Sequence, residues 1–190
     1  GMPSTHILKV PIANFAATVA NEFFSMQLAA AAGLVTPPTS MRIVDGMPIL
    51  LVERFDRVRT PDGIVQRRHQ EDFCQALGVP PELKYQAEGG PGLPAIFELL
   101  TAHSTRAALD RLALLQMVFF HFLLGNADAH AKNFSLLLGV DHVRLAPVYD
   151  AMCTLVYPSL SSRLAMKIDK HFEFDEITVE HWEAFARTVG

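Results

Sequence analysis

From Leu112 to Leu124 the chain is apolar at every position except Gln116 and His121, and Gly125 follows at once. A run of this length reads as a buried helix, expected from about Ala107 to Leu124, that a glycine can terminate. After it come Gly125-Asn126-Ala127-Asp128-Ala129-His130-Ala131-Lys132-Asn133 and then a short hydrophobic segment, Phe134 to Leu138, that reads as a strand. A core helix and a core strand are therefore joined by a loop holding an acid, a base and an amide. Whatever fold the chain adopts must bring that polar loop to the rim of its main core. Half of the residues are apolar, enough to build such a core within one domain of 190 residues.

The remaining chain divides by composition. Thr5 to Val10 reads as a strand carrying one lysine, Lys9. Asn14 is expected to cap a helix from about Phe15 to Ala32, with Gly33 as its stop and Val19, Phe23, Met26 and Ala30 as its core face. Ser40 to Val44 and Ile49 to Glu53 flank Asp45-Gly46, a hairpin signal, and Pro61-Asp62-Gly63 marks a second turn. From Gln70 onward helices dominate: Glu71 to Leu77, Leu93 to Thr101, and the long apolar run, with a Pro- and Gly-rich loop over Pro80 to Pro94. A strand near Leu164 to Ile168 and a final helix capped by Thr178, facing inward through Trp182, Phe185 and Ala186, complete the order. Phe97, Phe119, Phe120 and Phe122 read as core. The fold class is α+β: a small sheet-and-helix part over residues 1–57 and a larger, mainly helical part over 58–190.

The polar loop carries the chemistry. Asp128 and Asn133 have the D-x-x-x-x-N spacing of a kinase catalytic loop, in which the acid accepts the proton of the attacking hydroxyl and the amide holds magnesium. Asp150 follows Leu145-Ala-Pro-Val-Tyr149 and supplies a second hard-oxygen ligand of the kind magnesium takes. The alternative for Asp128 and Asp150 is turn capping. His130 either orients the loop or is a buried histidine bonded to backbone. A metal site from Asp128, His130 and His121 lacks a third ligand at recognisable motif spacing, and a metal hydrolase built on Asp128, His130 and Asp150 is a further rival. The net charge of −4 argues against extended nucleic-acid binding. Cys74 and Cys153 form no disulfide framework and suit a reducing cytoplasm. The first residues show no signal-peptide pattern, the longest apolar run reads as too short to span a bilayer, and Gly1 ahead of Met2 reads as a cloning remnant.

Taken together, Ser4-Thr-His-Ile-Leu-Lys9, Asn21-Glu-x-x-x-Met26-x-Leu28-Ala29, Val52-Glu-Arg-Phe-Asp-Arg57, Arg68-His-Gln-Glu-Asp-Phe-Cys-Gln-Ala-Leu-Gly78, Gly125-Asn126-x-Asp128-x-His130-x-Lys132-Asn-Phe-Ser135 and Pro147-x-Tyr149-Asp150 resemble the HipA-type serine/threonine kinases, the toxin halves of bacterial toxin–antitoxin pairs. The resemblance implies a two-lobed kinase-like fold and ATP and Mg2+ as co-substrate and metal. It implies a catalytic set of Asp128, His130 and Lys132, with Asn133 and Asp150 on the metal. Lys9 would meet the nucleotide phosphates with Glu22 as its helix partner, and Glu53 and Phe55 would meet the adenine edge. An edge lysine in water is the alternative for Lys9, and a solvated helix acid for Glu22. The implied partners are a protein substrate, a translation component, and a small DNA-binding antitoxin.

No G-x-G-x-x-G pattern occurs among the eleven glycines. The family's phosphate-covering loop lies upstream, so the chain reads as a fragment beginning inside the kinase amino lobe. It is expected to bind ATP weakly and to transfer no phosphate by itself. The open edge near Ile7 to Val10 is expected to be covered by another chain or by the termini. Two rivals share the loop: a small-molecule phosphotransferase, since Asp-x-His-x-x-Asn also occurs in aminoglycoside phosphotransferases, and a kinase-like binding module without catalysis.

Overall fold

A computed structural model of the protein describes residues 3–190; Gly1 and Met2, the expected cloning remnant, lie outside the described residues. The first part is a three-stranded antiparallel sheet with one helix across it. Strand β1 (His6–Lys9) precedes helix α1 (Thr18–Ala31), and strands β2 (Thr39–Val44) and β3 (Met47–Glu53) form a hairpin; the order is β1-β3-β2. Asp45 and Gly46 both take positive φ, 49° and 78°, the backbone that matches strand twist in a two-residue turn. Leu50 and Val52 of the central strand are buried against Val19 and Phe23 of α1.

Helix α1 starts later than the sequence suggests. Asn14 is no cap: it turns left-handed at φ 69°, and the helix opens only at Thr18, whose Oγ1 accepts from the Ile12 N–H at 3.0 Å. Its buried face runs through Val19, Glu22, Ser25, Met26 and Ala29, so Ala29 replaces Ala30, which is exposed. Among the described residues β1 pairs with β3 alone, and Ile7 and Leu8 are 43% and 57% exposed.

A hairpin of β4 (Arg57–Arg59) and β5 (Val65–Arg67) leads into strand β6 (His69–Asp72) and a single turn of helix, α2 (Phe73–Ala76). Composition predicts helix from Glu71, but His69–Asp72 is taken up by pairing with β7 (Ser135–Leu138), which in turn pairs with β8 (Val143–Leu145). Asp72 then starts the helix by accepting the Gln75 N–H, while the Gln75 side chain accepts the Asp72 N–H. Helices α3 (Leu93–His103) and α4 (Ala107–Leu124), strands β9 (Arg163–Ile168) and β10 (His171–Glu173), and helix α5 (Val179–Val189) complete the chain. Phe73, Ile96, Leu100, Leu114, Ile168 and Phe185 make the main core, to which α1 contributes Met26 and Ala29. Phe119 and Ala186 lie at its outer edge: Phe119 is 45% exposed against Trp182, and Ala186 is exposed.

Helix α4 is the axis of this part. The whole helix, Ala107–Leu124, is by length and composition apolar enough to cross a membrane, but its buried face packs in the main core. It also carries one buried polar side chain near each end. Asp110 accepts a two-pronged bond from Arg144, at 2.8–3.1 Å, and further bonds from the Ser104 hydroxyl and the Leu145 N–H. Burial alone would raise its pKa; those donors outweigh it and hold the carboxyl below the ordinary range. His121, fully buried, pairs its Nδ1 with the Asn126 amide at 2.9 Å, and burial pushes it down to about 4.

Both shifts are downward, so both groups contribute stability that is lost as pH falls. The unfolded chain takes up the histidine proton near pH 6.5 and the folded chain does not until about 4. Urea unfolding should show the protein about 2–3 kcal/mol less stable at pH 4.5 than at pH 7 through His121, a slope that His121→Gln flattens. Asp110→Ala, which leaves Arg144 without its partner, should cost about 3 kcal/mol at pH 7. A slope unchanged in His121→Gln would exclude that residue as its source.

Candidate active site

Two clefts meet at Asp150. The smaller, about 290 Å³, is lined by Lys9, Glu22, Glu53, Phe55, Gln70 and Tyr149 among others. The larger, about 650 Å³, is lined by Tyr85, Asp128, Asn133, Tyr157 and Arg163 among others. Asp150 faces both.

Strand β1 delivers Lys9 to the junction. Its Nζ lies 2.5 Å from Glu22 Oε1 and 2.5 Å from Asp150 Oδ1. Burial opposes the ammonium, but Asp150 and then Glu22 outweigh it and raise its pKa. Lys9 is therefore an ion-paired lysine, not an edge lysine left to water, and Glu22 is a buried helix acid, not a solvated one. Asp150 holds its backbone at φ 58°, a left-handed conformation uncommon for a residue with a side chain. Its other oxygen, Oδ2, accepts from Asn133 Nδ2 at 3.0 Å, and Asn133 Oδ1 accepts from the His130 N–H at 3.1 Å. Asn133 and Asp150 are thus adjacent, with the Asn133 amide nitrogen toward Asp150 and its oxygen on the His130 N–H. Among the described residues no cluster of three His, Cys, Asp or Glu is placed to hold a metal. An amide and a carboxylate do fit magnesium, which keeps several waters and takes further oxygens from phosphates.

The loop that presents Asp128 is fixed from below. Asn126 is buried, held by His121, and its Oδ1 accepts the Asp128 N–H at 3.1 Å. The Ala127 N–H donates to Thr154 Oγ1 at 2.8 Å. The Asp128 carboxylate stands half exposed in the larger cleft, with Oδ1 accepting the Tyr85 hydroxyl at 2.5 Å and lying 4.0 Å from His130 Nε2. His130 is buried, its Nδ1 has no partner among the described residues, and burial lowers its pKa. It packs against the Tyr85 ring, centroids 5.3 Å apart, and walls the loop.

Lys132 does not join this group. Its Nζ points to Asp72, 2.7 Å from Oδ2, at the start of α2, and it lines neither cleft. A lysine one residue before a site asparagine looks catalytic in sequence, but here it ties the loop to β6. At the smaller cleft the Glu53 N–H is already donated to the Pro38 carbonyl at 2.9 Å, while among the described residues the Phe55 N–H meets no acceptor. The Phe55 ring tilts against Tyr149 at 5.4 Å. Arg54 and Arg57 clasp buried Asp56 and do not reach into the larger cleft. Asn21, which opens one of the motifs that carry the resemblance but has no role assigned by it, clamps α1 to the segment after Asp150 through the Cys153 N–H and carbonyl at 3.0 and 2.9 Å. Tyr85 was missed as well; a lone tyrosine in a Pro- and Gly-rich loop gave no spacing to read.

Comparison with known proteins places these residues in a wider set. The candidate kinase Y4mE of Sinorhizobium fredii is 51% identical over the whole chain, which covers 45% of that relative. The serine/threonine-protein kinase toxin HipA of Shewanella oneidensis is 32% identical, again over the whole chain and 46% of its own length. The chain thus spans slightly less than half the length of these relatives. In the solved complex of Shewanella oneidensis HipA with HipB and operator DNA, a chain matches 98% of this one at 32% identity with a TM-score of 0.92. The Helicobacter pylori proinflammatory kinase CtkA matches 97% of this chain, over 73% of its own, at 14% identity and a TM-score of 0.67, a likeness of fold alone. The α+β architecture is therefore kinase-like. The profile of the HipA-like C-terminal domain matches residues 1–190, and with relatives of this identity over the full chain, the protein belongs to that family.

Proposed function

We propose that the chain carries the catalytic core of an ATP- and magnesium-dependent serine/threonine protein kinase. The observation that carries the reading is Asp150 shared between two clefts, with Lys9 and Glu22 on one side and Asp128 and Asn133 on the other. The smaller cleft takes the nucleotide: Phe55 offers a free N–H to the adenine edge and Lys9 a cation to the phosphates. The larger cleft takes the acceptor. Asp128 orients the acceptor hydroxyl and receives its proton as the oxygen attacks the terminal phosphorus. The bond to the bridging oxygen breaks and ADP leaves. Asn133 and Asp150 would hold magnesium, which neutralises charge on the phosphates. The chain's own contribution is position and electrostatics. In this reading residues 1–57 form the nucleotide-side lobe and 58–190 the acceptor-side lobe. The names of the relatives support a protein acceptor, a translation component in our reading, and a DNA-binding antitoxin as partner, all in the cytoplasm without membrane or direct nucleic-acid contact.

Two experiments test this on the full-length protein that carries the chain. Asp128→Ala should lower phosphate transfer to protein by a factor of about 10² to 10⁴ and leave the circular-dichroism melting curve close to that of the parent. Equal transfer by the variant and the parent would remove Asp128 from the mechanism. In calorimetric titration, Asp150→Asn should weaken ATP binding roughly tenfold in magnesium and much less without it. Label from ATP appearing on small alcohols and not on protein would move the reading to a small-molecule phosphotransferase. Absence of ATP binding would leave a kinase-like binding module.

A further inference from the structure

The loop between α2 and α3 ends above Asp128, and it is built rather than loose. The Gly90 N–H donates to the Tyr85 carbonyl at 2.9 Å, and a Cβ at Gly90 would collide with the Leu83 carbonyl oxygen, so only glycine lets the loop close. Gln86 Oε1 accepts the Lys167 N–H at 2.9 Å, which ties the loop to β9. Tyr85 is thereby aimed at the site. Its ring rests edge-on against buried His130, with Lys84 Nζ 4.9 Å above its face. Its hydroxyl donates to Asp128 Oδ1 at 2.5 Å, and among the described residues the second carboxylate oxygen has no hydrogen-bond partner.

A half-exposed aspartate with one fixed oxygen and one open oxygen presents a defined base; without the fixed oxygen the carboxylate turns among its rotamers. We propose that Tyr85 is a positioning residue for Asp128, its phenol holding Oδ1 so that Oδ2 alone faces the acceptor hydroxyl. The proposal rests on the kinase reading for its consequence in turnover, but the contact itself does not. Burial, and after it the bond to Asp128, raise the Tyr85 pKa above the ordinary tyrosine value, which agrees with a phenol that keeps its proton and donates it in a hydrogen bond to a carboxylate.

Tyr85→Phe keeps the ring against His130 and deletes only the donor. In the full-length protein this variant should lower kcat about tenfold with KM for ATP unchanged, and in an Asp128→Ala background it should have no further effect. A kcat equal to that of the parent would mean that the ring alone matters. A higher kcat would mean that the phenol competes with the acceptor for Asp128. A second loss in the Asp128→Ala background would mean a structural role. Each of these overturns the proposal. A readout independent of turnover is the ionisation of Tyr85, followed by NMR with ring-labelled tyrosine and assigned with Tyr85→Phe. It should move to lower pH in Asp128→Ala, and an unchanged titration would overturn the contact. A parent protein that transfers no phosphate while its Tyr85 titration still moves would fell the functional reading and leave the contact standing.

Discussion

The Lys9 ammonium, set between Glu22 and Asp150, holds together three parts of the chain that no local hydrogen bond joins. β1 brings the cation, α1 brings one carboxylate, and the segment after β8 brings the other from 141 residues away. One cation lies between two carboxylates in a place partly removed from water; withdrawing Lys9 would leave the two acids, one of them buried, with no cation between them. The same contact accounts for the backbone of Asp150. A left-handed residue with a side chain costs about 1–3 kcal/mol, and it persists where its surroundings over-determine it. Here Lys9 takes one carboxylate oxygen and Asn133 the other, while Asn21 grips Cys153 three residues on.

Around that contact the chain uses buried polar side chains as fasteners. Asp110 joins the start of α4 to β8, His121 joins its end to the loop of Asp128, and Asp56 gathers Arg54 and Arg57 where β3 gives way to the β4–β5 hairpin. Each accepts several donors, or is neutral, so that few buried polar atoms remain unmatched. The apolar core gives the molecule its bulk, and these fasteners give the site its geometry.

Much of this was readable in the sequence because it is encoded locally. The long apolar helix with its glycine stop, the Asp45-Gly46 hairpin and the Asp128–Asn133 spacing depend on residues within a few positions of one another. The misreadings have the opposite character. His69-Gln-Glu-Asp72 has helix-forming composition, and only its pairing with β7, some 65 residues later, makes it a strand. Asn14 has the chemistry of a cap but sits in a left-handed turn that delays the helix to Thr18. Lys132 looks catalytic by neighbourhood, and its partner Asp72 is 60 residues away. The side-chain bonds that give Tyr85 and Asn21 their place at the site reach 43 and 132 residues along the chain, to Asp128 and Cys153.

Thr154 has a consequence of its own. Its backbone N–H and that of Leu155 both donate to the Gly125 carbonyl, its hydroxyl receives the Ala127 N–H, and the Ala127 carbonyl in turn receives the Ala165 N–H of β9. The stretch leading into Asp128 and the stretch leading out of Asp150 are therefore knotted into one body. Bending of the sheet on α1 would reach Asp150 through Lys9, yet the knot shares that load with the loop of Asp128. The spacing between the two acids is insulated from flexing elsewhere, as the span between two teeth of a gear is insulated from the turning of its shaft.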